Sequence, residues 1–195
     1  MSSYSKTPTI ARGRPVTSND VGTVPSVSGL SVSEFGGDGI IRKAVFTFDS
    51  NYSQTMTDNG ANGSQGGTKI YDFPTGALLF VGTPQCNLTI ARVGSAIASG
   101  AAVVASLGSV VASNANATLT STEADILPST TATLTSGTGN VYSTNSATLQ
   151  IGGSAANTAT DMYLNFAIPD ADSTGNDALT VTGTIEVCYI VLGSR

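Results

Sequence analysis

The 195-residue chain has no histidine and no tryptophan. Without histidine, a Ser-His-Asp triad, a Cys-His pair, an HExxH zinc site and a C2H2 finger are all excluded within this chain. Aromatic residues are only 6% and Trp is absent, so a glycosidase or glycan-binding module would lack its usual aromatic platform. Charge is scarce as well: 11% of residues are charged, against about 25% in ordinary soluble domains. With 8 Lys+Arg against 13 Asp+Glu, the net charge of −5 argues against a surface that grips nucleic acid. There are only two cysteines, Cys86 and Cys188, which do not make a metal-ligand pattern. Free, partly buried thiols are expected, with a disulfide formed after release from a cell as the alternative. Long hydrophobic runs are also missing. The most apolar stretch, residues 97–112, is 16 residues long and is broken by Gly100 and Gly108, short of the roughly 20 that span a bilayer as a helix. These residues are expected to form buried or subunit-facing strands, with no membrane role. The first fifteen residues hold no apolar stretch of the signal-peptide kind, so synthesis in the cytoplasm is expected.

What fills the space is hydroxyl: 27 Thr and 24 Ser, roughly a quarter of the chain. A surface with so few charges is poorly protected against association, which points to a subunit whose surface faces other protein. From Gly39 onward the apolar period is two. Ala44, Phe46 and Phe48 alternate with polar neighbours, and so do Met162, Leu164, Phe166 and Ile168 against Asp161, Tyr163 and Asn165. The longest run places Leu179, Val181, Ile185, Val187, Tyr189 and Val191 on a dry face and Thr180, Thr182, Thr184 and Glu186 on a wet one. Further strands are expected at 54–57, 68–73, 77–81, 87–93, 102–107, 117–119, 132–134 and 146–151. Short strands punctuated by Gly, Pro, Asn and Asp predict an all-β fold, an antiparallel β-sandwich or jelly-roll-like barrel. Its core should include Phe46, Phe48, Leu88, Ile90, Leu164, Phe166, Val181, Ile185 and Val187. Thr120 followed by Glu123 predicts one or two helical turns, ended by Pro128.

Residues 1–38 show neither period and are expected to form an extended N-terminal arm on a β-domain of residues 39–195. Lys6, Arg12 and Arg14 give the first fourteen residues a charge of +3, leaving −8 on the rest. Such an arm is either a flexible solvated terminus or a basic element that docks on an acidic neighbouring subunit.

One cluster could take a cation. Asp170-Ala-Asp172-Ser-Thr174-Gly175-Asn-Asp177 has acids at the first and third places and the glycine of a calcium loop at the sixth. Val181, however, stands where the bidentate Glu belongs, and the loop joins strand to strand. The plainer expectation is a tight loop whose Asp side chains cap backbone N–H groups, with calcium through Asp170, Asp172 and Asp177 as the alternative. Gly137-Thr-Gly139-Asn-Val-Tyr142 lacks the third glycine of a dinucleotide fingerprint and is expected to be a turn. Four Asn-x-Ser/Thr triplets, at Asn51, Asn62, Asn87 and Asn116, are matched by the sheer abundance of Ser and Thr. No catalytic constellation is present and no cofactor is implied, so the chain is not expected to be an enzyme.

Three segments carry a resemblance: Lys69-Ile-Tyr-Asp-Phe-Pro-Thr-Gly76, the run from Ala117 to Pro128, and Asp161-Met-Tyr-Leu-Asn-Phe-Ala-Ile-Pro-Asp-Ala-Asp172 followed by the Thr-rich terminal strand. Together they resemble small β-rich virion structural proteins of tailed, often marine, bacteriophages, over roughly residues 40–193. The resemblance implies a component of the particle, first of all a capsid decoration (cement) protein. Such a protein binds the outer shell, with itself (a homo-oligomer, perhaps a trimer) and the major capsid protein as partners. A shell subunit or a tail or adhesion protein is the alternative; 195 residues is short for the usual shell fold, and its helical spine is not visible.

Overall fold

The alternating run near the C-terminus becomes the spine of the molecule. In the computed structural model, which describes residues 22–35, 41–74, 77–82, 84–113, 118–143, 151–152 and 161–192, strand β12 (Asp177–Leu192) extends over 16 residues. Leu179, Val181, Ile185, Val187 and Tyr189 are fully buried along one face, as the period of two requires. Val191 has its side chain outside the described ones.

A strand this long outlasts its neighbours, so each edge of β12 is served by two strands placed end to end. On one edge, Asp177–Thr180 pairs with β3 (Ser53–Asp58) and Gly183–Ile190 with β2 (Ile41–Phe48). On the other, Leu179–Glu186 pairs with β6 (Gln85–Arg92) and Tyr189–Leu192 with β5 (Ala77–Phe80). Strand β1 (Leu30–Phe35) lies outside β2, β9 (Thr138–Ser143) outside β6, and the short β10 (Ile151–Gly152) beside β5.

Strand β3 then changes partners: Thr57 and Asp58 leave β12 and pair with Gln65 and Ser64 of β4 (Ser64–Asp72). Strand β4 opens a second leaf that continues through β11 (Asp161–Ile168), β7 (Ala102–Gly108) and β8 (Leu127–Thr133). On the far side, β8 returns to β9 through a two-residue turn at Ser136 and Gly137, both with positive φ, the backbone that matches strand twist in a tight hairpin. All pairings among the described residues are antiparallel, and the sheet curls so that its leaves enclose one core. The fold is therefore the all-β sandwich or barrel that the periodicity implies. All nine expected core residues are buried. A cluster of edge-to-face rings, Phe46, Tyr71, Phe73, Phe80 and Tyr189, fills one end, with centroids 4.9–6.5 Å apart.

The structure departs from the sequence expectations at four places. Residues 30–35, assigned to the arm, form strand β1, with Val27, Leu30 and Val32 packed on the core. Thr23 also exchanges two backbone hydrogen bonds with Asp72, of 2.8 and 2.9 Å. The packed body thus begins well before Gly39. A chain starting at residue 36 is expected to unfold at lower urea than one starting at residue 22; equal midpoints would return β1 to the arm. Secondly, Thr138–Ser143 is a strand rather than a turn, because the Ser136–Gly137 hairpin delivers it to the edge of β6. Thirdly, the turn expected after Thr120 is present, but Pro128 does not end it. A single 3-10 turn, Ser121–Glu123, precedes β8, and Pro128 lies within that strand, where the β7–β8 register shifts. An edge strand at a bulge tolerates the missing N–H. Finally, Leu119 is buried in a loop, not a strand; of 146–151, only Ile151 lies among the described residues.

Candidate functional site

The outer surface of the second leaf is organised by one buried amide. Asn165 was expected on a wet face, yet it is fully buried, because the loop after β7 folds back over β11. Its Oδ1 accepts from the Ala112 N–H (2.8 Å), and its Nδ2 donates to the carbonyls of Val110 (2.9 Å) and Glu123 (2.8 Å). The Ser106 hydroxyl donates to the same Glu123 carbonyl (2.7 Å). Glu123, itself buried, accepts from the backbone N–H of Ser113 (2.6 Å) and, from three residues along, that of Thr120 (3.1 Å). This is the acidic half of the capping box expected at Thr120 and Glu123. Asp125 secures the start of the loop by accepting from the N–H and hydroxyl of Ser109. Gly67 and Gly108 leave the room: a Cβ would stand 2.3 Å from Asn165 Oδ1 at Gly67 and 2.3 Å from the Glu123 carbonyl carbon at Gly108.

Beside this clamp lies a cleft of about 360 Å³, produced by the partner change of β3. Past Thr57 and Gln65, β3 continues with β12 and β4 with β11, so the two strands diverge. The walls are Ser53, Thr55 and Thr57 on β3, Gln65 and Thr68 on β4, and Ala112 from the clamped loop, with Gly66 and Gly67 between. Ser53, Thr55 and Thr57 are exposed and, two residues apart, put their hydroxyls on one face of β3. Gln54 points the other way and joins the strands: its Oε1 accepts from Thr68 Oγ1 (2.8 Å) and Tyr52 Oη (3.3 Å), and its Nε2 donates to the Thr55 carbonyl (2.8 Å). Burial pushes the Tyr52 phenol up to about 12 against the opposing pull of its Thr68 contact, so it stays a neutral donor. Gln65 is 2% exposed, and neither atom of its amide has a hydrogen-bond partner. A buried, unmet polar group costs about 1–3 kcal/mol.

Compared with known proteins, the chain matches no family model and no curated sequence.

Two carboxylates of the calcium-like loop cap separate segments. Asp172 accepts from the Ala102 N–H (2.9 Å). Asp177 accepts from Gly94 and Ala178 (both 2.8 Å) on Oδ1 and from Ile97 (3.0 Å) on Oδ2. Asp170 opens a 3-10 turn, Asp170–Asp172, whose carbonyl is met by Ser173. Among the described residues no group of three His, Cys, Asp or Glu side chains could hold a metal. Gathering Asp177 onto a cation would strip it from three N–H donors, so the capping arrangement is the one the geometry supports. Partial burial raises the Asp177 pKa, but the N–H bonds from Ala178, Ile97, Gly94 and Ala96 outweigh it and hold the carboxyl below its usual value of 3.8. A carboxyl depressed in the folded state contributes stability that is complete above its unfolded pKa and is lost as pH falls through the folded one. Asp177→Asn should therefore lower the urea midpoint at neutral pH and flatten its fall below about pH 4. A parallel fall in both proteins would contradict this.

At the opposite end, Glu34 of β1 anchors the incoming chain. Tyr189 Oη donates to Glu34 Oε1 (2.9 Å), the Gly22 N–H reaches the same oxygen (3.4 Å), and Tyr71 Oη lies 3.1 Å from Tyr189 Oη. Burial and the Glu34 charge push the Tyr189 phenol well above its ordinary value. Lys6, Arg12 and Arg14 lie outside the described residues. Both cysteines are free; burial pushes the Cys86 thiol up to about 12, which leaves it unreactive at neutral pH.

Proposed function

We propose that the chain is a structural protein of a tailed-bacteriophage particle, a decoration (cement) protein that binds the outer capsid shell and its own copies. The reading rests on the strand phrases that resemble such proteins, and the observation that carries it in the fold is the edge strand β1. Among the described residues β1 pairs only with β2, and its sequence, LSVSEF, has no Lys, Pro or bulge to block a further strand. Phe35, 56% exposed, and Ile41, 53% exposed, stand at the turn end of the same hairpin, with Glu34 and Arg42 as their sequence neighbours. An edge left unpaired among the described residues, next to exposed apolar side chains, favours a homo-oligomer, and repetition by symmetry on a shell turns modest contacts into avidity. The basic segment holding Lys6, Arg12 and Arg14 adds a charge-dependent contact to an acidic neighbour.

The test is to purify particles from the source, detect the chain in them and locate it by immunogold electron microscopy. Label on the outer face of the head supports the proposal, label on the tail favours the adhesion alternative, and particles free of the chain overturn both. With undecorated heads, Lys6→Ala/Arg12→Ala/Arg14→Ala is expected to sediment less, with the gap closing at 1 M salt, where screening reaches about 3 Å.

A further inference from the structure

We propose that the outer face of the leaf built on β12, at the end where that strand finishes, receives the N-terminal segment of a second copy of this chain. The inference deepens the homo-oligomer of the proposed function and rests on that reading, but it is tested on the purified chain, so its failure would leave the location on a particle untouched. Along most of β12 the outward face is hydroxyl and amide: Thr180, Thr182 and Thr184, flanked by Thr47 of β2 and by Asn87 and Thr89 of β6. Toward Leu192 it turns apolar. Ile190, half-buried, pairs with Ile41 of β2 on one side and Leu79 of β5 on the other, which sets three aliphatic side chains in one row across the sheet. Phe35 and Val45 share this outward face on β1 and β2, and the charged residues among them, Lys43 and Glu186, neutralise each other as an ion pair.

Size and position choose the occupant. With Phe35 56% and Ile41 53% exposed and Val45, Leu79 and Ile190 half-buried, the patch offers about 300 Å² of apolar surface, far short of the roughly 800 Å² per partner of a standard interface. It suits a short extended segment, not a whole subunit face. The chain supplies one. The Leu30 N–H donates to the Val27 carbonyl in a turn, and the Gly22 N–H reaches Glu34 Oε1, so residues 22–27 run back along β1 to its far end. Thr23 is tied to Asp72, and a Cβ on Gly22 would stand 2.0 Å from Tyr71 Oη, which fixes the exit. That exit points the 21 residues before Gly22 past the turn end of the β1–β2 hairpin and away from the body, and extended they reach about 70 Å. To cover its own patch the segment would have to double back around β1, whereas continuing straight on brings it to a neighbouring copy. It carries Tyr4, Ile10 and Val16 as apolar anchors, and the +3 of its first fourteen residues is attracted to the −8 of the neighbour's remainder.

The experiment is analytical ultracentrifugation of the full chain and two full-length variants, one altered in the patch (Phe35→Ser/Ile41→Ser) and one in the segment (Tyr4→Ser/Ile10→Ser/Val16→Ser). The patch changes lie at exposed positions and the segment changes lie outside the packed body, so both variants should keep the urea midpoint of the unsubstituted protein. The unsubstituted chain is expected to self-associate, and each variant to raise the dissociation constant roughly tenfold or more. The deciding sample is the mixture. One variant keeps the patch and the other keeps the segment, so together they should form a 1:1 complex at concentrations where neither associates alone. A synthetic peptide of residues 1–21 should compete with the association, and its serine-substituted form should not. A monomeric unsubstituted chain, variants that associate as before, or a mixture that stays monomeric would overturn the proposal.

Discussion

Gly183→Ala is expected to be among the most damaging single-methyl changes at the described glycines, costing about 4 kcal/mol in urea unfolding, from roughly 1–3 for the backbone and 1–3 for the overlap. Gly183 lies midway along β12 at φ +127°, a conformation that side-chain-bearing residues avoid, and a Cβ there would stand 2.2 Å from the Asn87 carbonyl oxygen on β6. The location explains the need. Gly183 is where the inward alternation of β12 passes from Val181 to Ile185 and where its partner on one edge changes from β3 to β2. At this step β6 lies close against the strand, Gly183 pairing with Leu88. Two other glycines separate the causes. Gly60 has φ +58° with nothing within 4 Å of an added Cβ, so Gly60→Ala should show the backbone cost alone, about 1 kcal/mol. Gly100 has open space and no positive φ, and Gly100→Ala should be near neutral. A Gly183→Ala loss no greater than that of Gly60→Ala would show that β6 yields freely to the added methyl.

Asn165→Ala is expected to cost about 3 kcal/mol and to release the loop between β7 and β8. The side chain is fully buried, and its removal orphans the Ala112 N–H and takes one partner each from the Val110 and Glu123 carbonyls. Limited proteolysis should cut near residues 109–126 well before the rest of the body, because β7 and β11 keep their own ladder. Asn165→Asp keeps the acceptor but loses both donors, so it should show an intermediate loss. Since Ala112 forms one wall of the β3–β4 cleft, the variant also predicts a wider, less ordered cleft. Cleavage at the same rate as in the unsubstituted protein would mean that Glu123 and Asp125 hold the loop without the amide.

Period-two patterning, which depends only on the geometry of an extended chain, is local, and so β2, β11, β12 and most of the core were legible in the residues. The same holds for the loop at Asp172 and Asp177, where acids beside Gly and Ser predict backbone capping. Composition alone excluded histidine-based chemistry and weighed against a nucleic-acid surface. Other features depend on residues far apart in the chain. Glu34 breaks the inward alternation of β1 and hid that strand; its carboxylate is tolerated there because Tyr189, 155 positions away, donates to it. Asn165 looked solvent-facing because the loop that covers it is contributed by residues more than forty positions upstream. The cleft has no signature in any one segment. It exists because β12 outlasts each partner and β3 must leave it for β4, and how two strands diverge is decided by the packing of the whole sheet.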